Sequence, residues 1–232
     1  MRQRDEGRWR DDAREDADRI WRGFLGRPAS SVRLLVRPAA LHGLQDLRDG
    51  LPGLPRPRDG PAFRTVHEYA GGTWIQNDEG AWEHDVFAFY VSMSCNHCTN
   101  PVCLRFCASD AIAKDDFGFV RVDAARCTGC QVCALSCPYH APRFSEASAH
   151  IEKCDGCFDR VAAGLGPICV EACPQRALDF GIYDDIADHP LMVERVATMP
   201  DPVITQPNYA IEPCEAALRA ADAVALQNLG EI

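Results

Sequence analysis

The chain has 232 residues, enough for one or two domains, and its 34 acidic against 24 basic side chains leave a net charge of −10, which argues against nucleic acid as a partner. Thirteen cysteines are too many for ordinary core use, and twelve fall between Cys95 and Cys173 as C-x2-C and C-x3-C pairs, which suit metal better than disulfides because cysteines that close rarely bridge each other. No apolar run approaches the roughly 20 residues of a bilayer span, and the first thirty residues hold no apolar stretch of the secretory type.

The charge is uneven. Residues 1–58 carry 13 Arg and 9 acidic residues, a net +4, with no Lys and no Cys; residues 59–232 carry −14. Asp11 to Leu25 can form a helix with Ala17, Ile20, Trp21 and Phe24 loosely on one face. Repeated Gly and Pro from Gly43 to Pro61 exclude regular structure there. Residues 1–58 are therefore expected to be disordered or non-native. A cysteine-bearing domain follows over 59–182, and a C-terminal extension over 183–232.

Phe63 to Tyr69 and Trp74 to Gln76 alternate like strands around the Gly71-Gly72 turn. Val86 to Ser92 is a β-rich run leading into the first cysteine group, and Phe119 to Val122 leads into the second. Ala111-Ile112 and Ala177 to Phe180 are candidate partner strands. The order strand, cysteine loop, short helix, strand then repeats, which predicts an α+β, loop-rich domain with internal two-fold character. Residues 183–197 are expected to form a surface helix interrupted by Pro190. Met199 to Pro213 reads as an extended tail on the domain or on a partner, and Ala216 to Leu229 as a short amphipathic helix.

The second cysteine group is the most specific motif: Cys127, Cys130, Cys133 and Cys137-Pro138, or C-x2-C-x2-C-x3-C-P. In bacterial ferredoxins this run gives three ligands to one [4Fe–4S] cluster and its fourth cysteine to a neighbouring cluster. Gly129 allows the loop a positive φ, and Pro138 turns the chain out of the helix. A structural zinc site uses two separated pairs instead. The first group is Cys95, Cys98, Cys103 and Cys107, with Ala108 where Pro is usual. The third is Cys154, Cys157, Cys169 and Cys173-Pro174. Crossing assigns Cys95, Cys98, Cys103 and Cys137 to one cluster, and Cys127, Cys130, Cys133 and Cys107 to another. In the third group the triad of Cys154, Cys157 and Cys169 needs a fourth ligand from elsewhere, and Cys173 belongs to a triad that is not present. Either Cys173 folds back or a group is missing. The clusters staple a small core, so metal loss should unfold the domain. His97 and His140 read as solvent-facing loop residues, Cys214 as a free thiol, and Arg143 and Arg160 as solvated surface. No Walker loop, Rossmann fingerprint or nucleophile–base pair is present, so no bond chemistry is expected of this chain alone.

From about Phe63 to Pro213 the chain resembles the iron–sulfur electron-transfer subunits of the dimethyl sulfoxide reductase family. The resemblance is carried by His67-Glu-Tyr-Ala-Gly-Gly-Thr-Trp74, Ser94-Cys-Asn-His-Cys98, Cys127-Thr-Gly-Cys130, Cys137-Pro-Tyr139, Cys154-Asp-Gly-Cys157-Phe-Asp-Arg160, Pro167-Ile-Cys-Val-Glu-Ala-Cys-Pro174 and Arg176-Ala-Leu-Asp-Phe-Gly181. It implies a tandem bacterial-ferredoxin-like fold in a non-catalytic wire. That wire runs between a quinol-oxidising integral membrane anchor and a molybdopterin catalytic subunit, at the cytoplasmic membrane of a bacterium but without a span of its own. Related subunits serve polysulfide, tetrathionate, nitrate and formate enzymes. A self-standing polyferredoxin and a zinc-stabilised binding module are the competing readings. The tail beyond Gly181, read as a docking surface, counts against the first, and the brown colour of clusters would exclude the second. Family members have four cysteine groups, the first before Tyr69 spaced C-x2-C-x2-C-x3-C, and here that group is absent.

Leu41-His42, Leu44-Gln45, Leu47-Arg48 and Leu51-Pro52 have that spacing. Leucine as CTG before a codon starting with C contains TGC, cysteine, one base on. So read, Leu41 to Leu54 can encode Cys-Thr-Gly-Cys-Lys-Thr-Cys-Glu-Met-Ala-Cys-Arg-Asp-Tyr. The missing group is thus expected to be encoded out of frame. The chain as written then holds two complete clusters and the intact family member four, with Cys173 completing the first triad and the restored fourth cysteine completing that of Cys154, Cys157 and Cys169.

Overall fold

In the computed structural model, residues 32–36 (backbone), 62–182, 192–197, 199–219 and 224–228 are described. The described part is sheet-rich and helix-poor, with twelve strands and five α-helices of only 4 or 5 residues each. Helices this short do not persist alone, so each depends on the loops and sheets around it.

The longest ladder joins β2 (Arg64–Gly71) to β5 (Phe87–Ser94), antiparallel, from Gly71↔Phe87 to Arg64↔Ser94. β5 is rich in the aromatic and β-branched residues that favour a pleated, half-buried surface. Phe89, Val91 and Met93 alternate onto one face and pack with Tyr69, Cys137, Tyr139, Met199, Tyr209 and Ile211. Burying each such large apolar side chain contributes about 1.5–3 kcal/mol. The ladder ends at Ser94, so the sheet delivers Cys95. At its other end Gly72 has φ +90°, and a Cβ there would lie 2.5 Å from the Asp85 carbonyl oxygen, which only glycine accommodates. Trp74–Gln76 is a strand (β3) as expected, but it pairs with β4 (Trp82–His84) in a separate hairpin.

Two further hairpins carry the cysteine groups: β6 (Ile112–Lys114) with β7 (Val120–Val122), and β8 (Arg143–Ser145) with β9 (His150–Glu152). The helices are α1 (Val102–Arg105), α2 (Val132–Ser136), α3 (Phe158–Ala162), α4 (Ile168–Glu171) and α5 (Glu215–Arg219). A second three-stranded sheet has the order β10 (Leu178–Ile182), β1 (Val32–Val36), β11 (Tyr209–Ile211). Five residues of the first 58, a stretch expected to be disordered or non-native, pair here as a central strand. Their sequence, Val-Arg-Leu-Leu-Val, gives the physical reason. The candidate helix over Asp11 to Leu25 and the four spaced leucines lie outside the described residues.

Within the C-terminal extension the stretch Met199 to Pro213 lies on the domain, one of the two placements expected for it. Its strand β11 is buried, with Ile211 at 0 % exposure, and pairs with β1. Residues 192–197 show no helix; Val193 bridges Ile211 instead. The expected helix over 216–229 is confined to α5 among the described residues. Val224–Leu226 inside that range forms β12, which takes the open edge of β2. A free strand edge overrides the Ala-rich helical pattern there.

Candidate metal centre

The three cysteine groups share a local design. The third residue of each C-x2-C loop has positive φ: His97 (43°), Gly129 (69°) and Gly156 (76°). Beyond each closing cysteine the third residue is again left-handed, at Asp110, His140 and Arg176. Their N–H groups donate to the carbonyls of Cys107, Cys137 and Cys173 at 3.2, 3.1 and 3.2 Å. The turn after Cys107 therefore matches the two Pro-containing turns although Ala108 replaces the proline.

Cys95, Cys98 and Cys103, from the first group, and Cys137, from the second, line one pocket with Val102, Val120, Tyr139 and Thr205. Cys103 feels the charges of Cys95, Cys137 and Cys98. The reciprocal set also assembles: Cys133 lies within electrostatic reach of Cys107, Cys127 and Cys130. Helices α1 and α2 pack together between the two sets. Among the described residues no three of His, Cys, Asp and Glu converge on a single-ion site. The thiols of the first set instead surround a cavity.

Burial pushes the thiols of Cys98 and Cys133 up to about 11, and those of Cys103 and Cys154 up to about 12. Cys107 goes the other way: burial raises it, but the Ser109 hydroxyl and the backbone around Ala111 and Ile112 outweigh burial and leave it lowered. Backbone N–H groups are aimed at sulfur elsewhere too: Ile151 at Cys127 (3.5 Å), Gly156 at Cys154 (3.4 Å) and Ala177 at Cys173 (3.3 Å). Such donors stabilise thiolate. Tyr139 OH and Thr205 Oγ1 are buried at the first pocket and neither has a hydrogen bond of ordinary geometry, although the Thr205 hydroxyl lies within reach of Cys98 and of Tyr139. Buried polar atoms of that kind ask for an acceptor, and an anionic iron–sulfur cluster held by thiolates provides one. The residues present fit the cofactor.

The third group is less complete. Cys157 lies near Cys169, and Cys169 and Tyr90 each pack against the cluster of Cys173, Ala177 and Leu178. Cys154 is half-buried, and Cys95 of the first pocket is its leading charged neighbour. The structure thus places the third loop beside the first pocket. Arg160 is not solvated surface. It donates to the Gly166 carbonyl (3.1 Å) and pairs with Glu171, which also accepts from Gly166 N–H (2.9 Å), and so braces the loop that brings Cys169 to Cys157.

His97 corrects another expectation. Its Nδ1 accepts the Val120 N–H at 3.0 Å, and its ring packs edge-on against Phe119. Burial, with the charges of Lys153 and Lys114, holds it well below the ordinary range, so the ring is neutral. His140 is exposed as expected, and Cys214 is half-buried against the main core with a free thiol. Sequence reasoning missed two lysines. Lys114 Nζ donates to the Cys98 carbonyl at 2.9 Å, and Lys153 Nζ to Cys95 Sγ at 3.4 Å. The available signal was rarity: these are the only lysines among 24 basic residues.

Residues 86–183 match the family model of the 4Fe-4S dicluster domain. The B subunit of anaerobic dimethyl sulfoxide reductase from Escherichia coli (strain K12) is 50% identical over 152 residues, covering 66% of this chain and 74% of that protein. The chain belongs to this family of iron–sulfur subunits. The corresponding subunit of Haemophilus influenzae is 43% identical over 160 residues, 69% of this chain and 78% of its own length. Similarity extends to the perchlorate reductase subunit beta of Dechloromonas aromatica, 42% identical over 110 residues, which are 47% of this chain and 33% of the relative. Like its family, the chain is a non-catalytic electron-transfer subunit that carries [4Fe–4S] clusters and partners a catalytic subunit. Among the described residues no helix is long and apolar enough to cross a membrane.

Proposed function

We propose that this subunit passes electrons from a quinol-oxidising membrane anchor to a molybdopterin catalytic subunit that reduces dimethyl sulfoxide, in a complex seated on the bacterial cytoplasmic membrane. The observation that carries the reading is the exchange of closing cysteines. Cys137 joins Cys95, Cys98 and Cys103 around one pocket, while Cys107 joins Cys127, Cys130 and Cys133. Such an exchange favours two adjoining clusters in a tandem ferredoxin-like fold. Bound clusters supply one-electron chemistry; the chain supplies thiolates, N–H donors and apolar walls.

The test is the subunit co-expressed with its catalytic partner and anchor. Quinol should reduce EPR-visible clusters, and dimethyl sulfoxide should reoxidise them. A colourless, iron-free subunit would overturn the cluster reading, and a brown subunit that never joins a catalytic partner would leave a free polyferredoxin. The perchlorate relative and a thiosulfate reductase electron transfer subunit PhsB, 41% identical over 97 residues, favour a second reading, the equivalent subunit of another reductase. Reoxidation by another acceptor, with none by dimethyl sulfoxide, would select it.

The cluster count depends on the reading frame. As written, two thiol sets complete each other, so the chain should hold roughly 8 iron atoms. The first group of the family is encoded one base out of frame at Leu41, Leu44, Leu47 and Leu51. Strand register supports this. Ile112, five residues after Cys107, pairs with Val122, five before Cys127. Leu178, five after Cys173, pairs with Val36, and five residues beyond Val36 stands Leu41. The same offset thus points to Leu41 as the position of a first ligand. Resequencing codons 55–63 checks it. An intact frame, with no TGC one base on at the four leucines, refutes it.

A further inference from the structure

Lys153 is a buried cation with an unusual set of partners. It is 6 % exposed. Its ammonium donates to Cys95 Sγ (3.4 Å), to the Cys154 carbonyl (2.8 Å) and to the Val120 carbonyl. An ammonium has three N–H donors and no acceptor, so these three partners satisfy it fully. Arginine, with five donors in a planar fork, would leave two unmatched. That accounts for lysine here in a chain with 22 arginines and only one other lysine. What is missing is an anion. Among the described residues no carboxylate meets Lys153; the groups around it that can carry negative charge are the thiols of Cys95, Cys154 and Cys103. An isolated buried charge is costly unless an opposite charge lies close. The sulfur of Cys95 is the partner that can carry one.

We propose that Lys153 is a potential-setting residue for the cluster held at the Cys95 pocket, its fixed ammonium favouring the reduced, more negative cluster. The proposal rests on the cluster reading above. Val120 and Cys95 belong to the first pocket and Cys154 opens the third group, so one charge spans the two sites. It makes the Cys95 site a better electron acceptor than that site would be without the charge, whereas no lysine donates to the Cys127 site. Lys114, half-buried and bonded to the Cys98 carbonyl rather than to sulfur, acts in the same direction more weakly.

The test is an EPR-monitored redox titration of the full complex carrying Lys153→Met. The signal assigned to the Cys95 cluster should need a lower potential. At fixed ambient potential its reduced-to-oxidised ratio should fall at least tenfold, which is 59 mV for a one-electron couple, while the Cys127 signal moves far less. Lys153→Gln keeps donors for the two carbonyls without the charge. It should show the same shift and serves if the Met variant loses iron. Wild-type ratios in an iron-replete variant would overturn the proposal. So would loss of iron in both neutral variants when Lys153→Arg retains it, since the role would then be assembly rather than potential. Absence of cluster signals from the unmodified complex would instead overturn the cluster reading itself.

Discussion

Gly156 is the tightest test of how the third cysteine loop is held. It lies between Cys154 and Cys157 with φ +76°, and a Cβ at this position would stand 2.3 Å from both Cδ1 and Cε1 of Phe119. Phe119 cannot yield easily. It is 3 % exposed, edge-on to His97 at 5.3 Å and to Phe158 at 6.1 Å, and stacked on Phe180 at 6.3 Å. Gly156→Ala therefore combines two costs: about 1–2 kcal/mol for an L-residue in left-handed backbone and about 1–3 kcal/mol for overpacking a filled core. The sum, about 2–5 kcal/mol, is a large share of the roughly 5–15 kcal/mol that holds a domain together. Gly80→Ala is the control. Its φ is +81°, but the nearest atom to its Cβ would be Gln76 Nε2 at 3.9 Å, so it carries the backbone cost alone. Anaerobic guanidinium unfolding, followed by cluster absorbance, should show the Gly156→Ala midpoint lowered by roughly 0.5–1.5 M. Gly80→Ala should lose only about a quarter to two thirds as much. Equal losses in the two variants would mean that Phe119 is not wedged against the loop, and the reasoning would fail.

Cys107→Ser should abolish or alter the EPR signal of the cluster held by Cys127, Cys130 and Cys133, and leave that of Cys95, Cys98 and Cys103 in place. A change in the signal that Cys95→Ser also affects would contradict the exchange of closing cysteines. The pH dependence follows from thiols raised from 9.0 to about 11 at Cys98 and Cys133 and to about 12 at Cys103. Their neutral form is favoured in the folded, iron-free chain. The stability they contribute is complete below pH 9 and is lost as pH rises through 11 to 12. Ligation runs the other way because it needs thiolate. Reconstitution under argon should release protons and accelerate from pH 7 to 9; assembly that slows over this interval would refute the assignment.

The cysteine groups were legible because ligand spacing is local. Two residues between thiols make a loop, three make a helical turn, and both survive any tertiary context. The strands that enter each group were legible for the same reason, since Phe87–Ser94 and Val120–Val122 are β-favouring runs bounded by turn residues. The C-terminal region was legible only in part because long-range partners decide it. Pro200, Pro202 and Pro207 suggest an extended tail, yet the neighbouring Asn208 donates to the His97 carbonyl and accepts from Thr99, 109 residues away in sequence. His97 was misjudged likewise: nothing near it in sequence announces Phe119 or the Val120 N–H. Arg160 looked like surface because Glu171, its partner, lies beyond a glycine-rich loop.

The clasp over the first cysteine loop also imposes an order in time. Thr99 and Asn100 N–H groups donate to the Gln206 and Thr205 carbonyls at 2.7 and 2.9 Å, and Asn208 N–H donates to the Asn96 carbonyl at 3.0 Å. Thr205 itself closes the wall of the pocket around Cys95, Cys98, Cys103 and Cys137. All four thiols leave the ribosome long before residue 205 does. During synthesis they wait in an open, wettable half-site, exposed to oxidation and to the wrong metal. The finished pocket exists only when nearly the whole polypeptide is free. A chain cut short after Pro200 would carry every ligand of this site yet lack the residue that closes its wall.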